Sequence, residues 1–231
     1  KIHAIIAEAC QAAHHTPDSV QLLAVSKTQG VDAIAAAYAA GQRAFGENYV
    51  QEALDKIHAL SHLSAIEWHL IGPLQSNKTR AVAEHFAWVH SVDSLKLAQR
   101  LSAQRPSDSP PLQVCLQVNI SGEANKSGMA PHEVLALAQA IHTLPNLQLR
   151  GLMCIPEASH DDALISQRFN ALHDLRAECQ AAGIPMDTLS MGMGADMPLA
   201  IAAGATIVRV GSAIFGERPK TQHDTPTRNP M

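Results

Sequence analysis

Leu22-Leu23-Ala24-Val25-Ser26-Lys27-Thr28 is the stretch on which the reading of this chain turns. An apolar, β-prone run leads straight into a lysine, and Gly30 follows three positions on. The pattern predicts a buried strand over about 22–26 whose carboxyl end sets one ammonium at the mouth of a pocket. With its stem against an apolar wall, Lys27 would lose hydration and its pKa would fall. Neutral amine would then be available to condense with an aldehyde or ketone. Taken alone, the residue reads better as a solvated lysine just past a strand end.

Outward from this strand the same alternation repeats. Further strands are expected near 43–45, 67–71, 88–91, 112–119, 149–155, 188–191 and 206–210. Helices are expected between them, near 31–40, 50–60, 76–85, 94–103, 131–142, 161–182 and 196–203, with one more over 2–13. Gly41, Gly183 and Gly204 sit where three of these helices should stop. Strand–helix alternation on this period demands parallel strands with right-handed crossovers, and eight units is the closure number of a (β/α)8 TIM-type barrel. The rival is an open doubly wound sheet, which would carry a phosphate loop after its first strand, where this chain has Lys27. Residues 105–111 hold three prolines and two serines, and read as a surface connection because the alternation resumes beyond them. The expected organisation is one barrel over 1–218, followed by a disordered tail over 219–231.

Charged residues are 16% of the chain and hydrophobic ones 46%, a balance suited to a folded soluble domain. A formal net charge of -4 provides no basic footprint for nucleic acid, and no apolar run has membrane-spanning length. Cys10, Cys115, Cys154 and Cys179 are scattered, which points to reduced thiols and a cytoplasmic setting. His58 and His62 have a zinc-compatible spacing but no third ligand, so no metal site is expected.

In barrels of this kind the working face is the carboxyl end of the strands, and phosphate often sits after strands 7 and 8. Gly192 and Gly194 are expected to follow strand 7 and lead into a helix near Ala195, whose amino terminus would suit a dianion. Tight helix–strand packing is the other reading of these glycines. Gly211 would let backbone N–H groups come close to an oxygen, and Ser212 could add a hydroxyl. Barrel closure would set this cup beside Lys27, and an aldehyde-binding lysine next to a phosphate cup suggests pyridoxal 5'-phosphate (PLP). Arg209 should face opposite to Val208 and Val210. Inside the barrel it would either donate to a pyridine nitrogen or pair with a carboxylate such as Glu47 or Glu67.

Several segments carry a family resemblance: Val25-Ser26-Lys27-Thr28, Phe45-Gly46-Glu47-Asn48-Tyr49, Trp68-His69-Leu70-Ile71-Gly72-Pro73, Lys126-Ser127-Gly128, Leu189-Ser190-Met191-Gly192-Met193 and Arg209-Val210-Gly211-Ser212. Over about 22–217 the chain resembles the YggS/PROSC family of PLP homeostasis proteins. The resemblance implies a barrel like the amino-terminal domain of alanine racemase, with PLP as an internal aldimine on Lys27. It implies Arg209 at the pyridine nitrogen, Gly211 and Ser212 at the phosphate, and Asn48, Ser190 and Met191 lining the pocket. The chain departs from the family pattern in two places. Gly194 stands where a serine is usual, leaving more to the Gly194 and Ala195 amides. Gln29-Gly30 replaces a Lys-Pro pair.

The expected role is PLP binding and intracellular PLP homeostasis with little or no turnover. Alanine racemase-like enzymes need a second β-domain and a tyrosine base, and here fewer than thirty residues follow strand 8 and the tyrosines are Tyr38 and Tyr49. Apo-PLP enzymes are the expected acceptors, and a monomer is expected, with a dimer as the alternative. The competing readings are a PLP enzyme acting on amino acids with a cysteine or histidine base, such as a racemase, and a cofactor-free Schiff-base aldolase.

Overall fold

The computed structural model describes residues 1–124 and 126–216, so the tail expected over 219–231 lies outside the described residues. Eight parallel strands close into a barrel in sequence order. They are β1 (Gln21–Val25), β2 (Ala44–Glu47), β3 (Glu67–Leu70), β4 (Trp88–Val92), β5 (Leu112–Gln117), β6 (Leu147–Met153), β7 (Thr188–Met193) and β8 (Ile207–Val210). Helix α1 (Ile2–Ala12) precedes β1. The crossovers carry α2 (Val31–Ala39), α3 (Val50–Ala59), α4 (Thr79–His85), α5 (Leu95–Gln104), α6 (Val134–Ile141), α7 (Asp162–Ala181) and α8 (Met197–Ala202). A short α9 (Ser212–Phe215) follows β8.

Local chemistry sets the ends of these elements. The Ser94 hydroxyl accepts the Leu97 N–H at the start of α5, and the Asp161 carboxylate accepts two N–H groups at the start of α7. Gly183, at φ 84°, follows the α7 cap in the left-handed conformation that ends helices. The helices expected to begin at 76 and 131 open instead as 3-10 turns, Ser76–Lys78 and Pro131–Glu133.

Side chains along each strand alternate between two apolar layers. Leu22 and Ala24 of β1, Phe45 of β2, Leu189 and Met191 of β7, and Val208 and Val210 of β8 face outward into the layer under the helices. Leu23, Ala44, Trp88, Cys115, Met153 and Ile207 fill the barrel interior. Each fully buried Leu, Ile or Phe contributes roughly 1.5–3 kcal/mol of transfer free energy, so slipping one strand by a residue would exchange the two layers at large cost. The seam between the first and last strands pairs Leu23 with Arg209 and Ala24 with Val210. That register brings the end of β1 level with the end of β8.

Candidate functional site

The inward parity of Leu23 and Val25 continues to Lys27, which lies two residues beyond β1 and is half-buried. Lys27 lines a cavity of about 290 Å³ together with Met193, Gly194, Arg209, Gly211 and Ser212. This is near the small end for ligand sites, which run from about 300 Å³ upward. Met193 and Arg209 also border a neighbouring hollow of about 480 Å³ that contains Glu157, His160 and Asp196. A larger hollow of about 550 Å³ opens at the opposite end of the barrel. Its charged groups, Arg150 and Asp187, already pair with each other at 2.8–2.9 Å. The chemistry therefore gathers at the carboxyl ends of the strands.

Arg209 shares the inward face of β8 with Ile207 and is buried. It does not pair with Glu47 or Glu67. Glu47 is the outward-facing neighbour of inward Gly46 and binds Lys56, and Glu67 is exposed at the far end of β3. The guanidinium donates instead to the Ser190 hydroxyl at 2.8 Å and to the Cys154 carbonyl at 2.9 Å. Burial lowers its pKa, while Cys154, Asp196 and Cys115 pull it back up. Among the described residues its hydrogen bonds reach no carboxylate, so its charge remains available to a ligand in the cavity.

A chain of hydrogen bonds continues down the interior. Ser190 Oγ lies 2.8 Å from His90 Nδ1, and His90 Nε2 lies 2.9 Å from His69 Nδ1. Arginine can only donate, so Ser190 accepts from Arg209, and we assign its own proton to His90 Nδ1, which gives that hydroxyl proton an acceptor. His90 then carries its proton on Nε2 and gives it to His69 Nδ1, which puts the His69 proton on Nε2. That nitrogen is buried without a partner. Burial pushes the His69 pKa down to about 3, and burial with the His69 and Arg209 charges takes His90 well below its usual value. Both rings are thus neutral at neutral pH. His69 also stacks on Trp88, with ring centres 5.3 Å apart.

The glycines divide between two tasks. Strand β7 runs through Met193, so Gly192 lies inside it rather than after it. The register against β8 shifts between Ser190 and Met193, and Gly192 has φ 93°. A Cβ there would lie 2.5 Å from the Ala200 Cβ, so this glycine lets α8 approach the sheet. Gly194 borders the cavity at φ 61°, with open space where a side chain would stand. The segment after it, Gly194–Asp196, is a 3-10 turn, and the α-helix begins only at Met197. Asp196 Oδ1 accepts the Met193 N–H at 2.5 Å. Gly211 packs closely on β1, where a Cβ would meet the Val25 carbonyl at 3.3 Å. Ser212 opens α9, whose first N–H groups have no acceptor within the helix.

The remaining expected site residues are placed less directly. Ser190 reaches the cavity through Arg209. Met191 does not line it. Consecutive strand residues face opposite ways, and its fully buried side chain sits in the layer under the helices. Asn48, just after β2, is partly buried and is not in the cavity lining, but its Oδ1 is buried without a partner. The guanidinium, the open glycine cradle and the lysine together fit a phosphorylated aldehyde with a ring nitrogen.

A second polar cluster lies behind Lys27. Lys56 Nζ is buried and donates to the Ser26 carbonyl at 2.7 Å, to Glu47 Oε1 at 2.8 Å and to Glu52 Oε1 at 2.5 Å. Burial raises the Glu47 pKa, opposed by its bonds to Lys56 and Ser26. The sequence reading missed this cluster, as it missed His69 and His90. The only local signal was Glu52-x-x-x-Lys56, a spacing typical of solvated helix faces.

A family model described as alanine racemase, N-terminal domain, matches residues 2–219. A pyridoxal phosphate homeostasis protein of Pseudomonas aeruginosa is 57% identical over 218 residues, covering 94% of this chain and 93% of that protein. One from Vibrio cholerae is 56% identical over 220 residues, covering 94% and 93%. The chain belongs to the family of pyridoxal phosphate homeostasis proteins. Among solved structures, PipY of Synechococcus elongatus with PLP bound is 43% identical, with a TM-score of 0.80, covering 91% of this homeostasis-family chain and all of PipY. The alanine racemase of Corynebacterium glutamicum shares the fold at a TM-score of 0.67 and 18% identity, and this chain covers 62% of it.

Proposed function

We propose that this member of the homeostasis-protein family binds PLP covalently through the Lys27 nitrogen, with loss of water, and hands it to apo-PLP enzymes, with little or no turnover of its own. When bound, the cofactor supplies an aldehyde to the amine and an electron-withdrawing ring. The observation that carries the reading is that Lys27, Arg209 and Ser212, from the two ends of the sequence, border one small cavity. Ser212, Gly211 and Gly194 would hold the phosphate. Arg209 would donate to the ring nitrogen, and a guanidinium that cannot accept a proton there leaves the ring a weak electron sink. Asn48 Oδ1 would accept a donor from the ligand.

The environment of the candidate bases supports the absence of turnover. Burial pushes the Cys115 and Cys154 thiols up to about 12, so neither supplies a thiolate near neutral pH. His69 and His90 are engaged with each other and with Ser190. Tyr38 stacks under Arg43, with 4.0 Å between the guanidinium carbon and the ring centre, far from the Lys27 end of the barrel. The free, buried cysteines support a cytoplasmic setting, and among the described residues no helix is long and apolar enough to cross a membrane. Exposed Tyr49, Leu95, Ile155 and Met193 all sit at or just beyond the carboxyl ends of strands, where an acceptor would approach.

The test is visible absorbance of the protein loaded with PLP, then borohydride reduction and peptide mapping. A cofactor mass on the Lys27 peptide, lost in Lys27→Ala, is expected. Chiral chromatography across the proteinogenic amino acids should show no racemisation above background. Robust turnover would remove the carrier reading, and an adduct elsewhere would remove Lys27 from the site.

A further inference from the structure

We propose that Glu52 is a positioning residue for Lys27: from behind the barrel wall it holds the turn that aims the lysine into the cavity. This rests on Lys27 being the attachment point, as proposed above. Both neighbours of Lys27 are tied to one buried cluster. On one side, the Ser26 hydroxyl donates to Glu47 Oε1 at 2.6 Å, and the Ser26 carbonyl accepts from Lys56 at 2.7 Å. On the other, the Thr28 N–H donates to Glu52 Oε1 at 2.6 Å. Lys56 joins the halves, since its ammonium touches both carboxylates. Ser26 continues the outward parity of Leu22 and Ala24, while Lys27 continues the inward parity of Leu23 and Val25. The cluster therefore grips the outer neighbours and leaves the inward residue to the cavity.

The backbone shows why a grip is needed. Thr28 has φ 64°, in the left-handed region that β-branched residues rarely enter. Such a conformation persists only where its surroundings hold it. The Gln29 N–H closes the turn on the Ser26 carbonyl at 3.0 Å, and the bond from the Thr28 N–H to Glu52 ties its central peptide to a side chain. Without it, rotation about the Thr28 N–Cα bond to negative φ would re-aim the Lys27–Thr28 peptide and the side chain before it. Gly30, just beyond the turn, supplies no stiffness of its own.

Glu52 can be tested because its side chain is 31% exposed, and in Glu52→Ala the Lys56 ammonium keeps Glu47 and the Ser26 carbonyl. Fluorescence titration of Glu52→Ala with PLP should show about tenfold weaker binding than wild type. Glu52→Gln retains an oxygen for the Thr28 N–H and should bind within about threefold of wild type. In Glu52→Ala/Thr28→Gly, glycine adopts positive φ without a holder, and affinity should return to within about threefold of wild type. A purely structural loss would not be cured at Thr28. A second arm needs no cofactor: carbamylation of the apo protein by cyanate, read by peptide mass spectrometry at Lys27, with exposed Lys96 as the internal control. Glu52→Ala should change the Lys27 rate and Thr28→Gly should restore it. Wild-type affinity and labelling in Glu52→Ala, or no restoration by Thr28→Gly, would overturn the proposal. If PLP bonds elsewhere than Lys27, the functional reading fails, and the cyanate arm still decides whether Glu52 sets the lysine's placement.

Discussion

Ser190→Ala removes a single oxygen from the centre of the barrel, and the structure gives the size of the effect. That oxygen accepts from Arg209 at 2.8 Å and faces His90 Nδ1 at 2.8 Å, and it is fully buried. Losing a hydrogen bond to a charged group costs about 1.5–3 kcal/mol, and leaving a buried polar partner unpaired costs about 1–3 kcal/mol. The two effects overlap, because both arise from the same deleted hydroxyl, so a loss of about 2–4 kcal/mol is expected. For a chain of this size each kcal/mol lowers Tm by about 2–4 °C, which gives a fall of about 5–15 °C. Urea titration at pH 7.5 measures the free energy, and nitrogen-15 NMR of the histidine rings reads the tautomers. Wild type should show protons on Nε2 of both His69 and His90, and the variant should perturb His90 first. A loss under about 1 kcal/mol would mean that the Arg209–Ser190–His90 chain is not a coupled unit, whereas Nδ1–H tautomers in wild type would mean that its protons run the other way, from the histidines toward Ser190.

Acid should weaken the fold before carboxylates begin to titrate. His69 and His90 stay neutral in the folded state down to low pH, His69 to about 3, whereas in the unfolded chain they protonate near 6.5. The unfolded state therefore binds more protons below about pH 6.5, and stability falls as pH drops, by up to about 1.4 kcal/mol per pH unit for each ring. Calorimetry at pH 7.5, 6 and 5 should show a steadily falling Tm, and a flat profile would refute buried neutral histidines. Gly194→Ser, which supplies the serine that the family resemblance implies at this place, should bring no large gain in PLP affinity. A new hydrogen bond is worth about 0.5–1.5 kcal/mol, against about 1–2 kcal/mol for a side chain at φ 61°. Affinity within about fivefold of wild type is expected in a fluorescence titration, and a tenfold gain would show that the turn relaxes.

The barrel was legible because its strands are short apolar runs at a regular spacing, and their length of four to seven residues between helix-length segments separates strand from helix there. The seam followed from closure, so Lys27, Arg209, Gly211 and Ser212 could be brought together before any coordinates. Strict alternation also placed Arg209 opposite Val208 and Val210. It would have removed Met191 from the cavity had it been applied across Ser190-Met191. The bulge in β7 was not legible, because Gly192 inside a strand and Gly192 after a strand look the same in one dimension. The cluster around Lys56 was hidden for another reason. Its parts are 26, 28, 47, 52 and 56, and only the crossover through α3 makes them neighbours. The alternative of an ion pair between Arg209 and Glu47 or Glu67 is not what the structure shows, because charge complementarity carries no information about which face or end of a strand a residue occupies.

The pairing of β1 with β8 makes the first strand of the chain the last to be completed. A chain synthesised only as far as Met191 has its lysine but neither the guanidinium nor the glycine cup. Any molecule gripped from both margins of that join acts as a clasp, adding its binding energy to the closed form and withholding it from a gaping one. Letting go of the cargo and easing the join are then two descriptions of a single equilibrium.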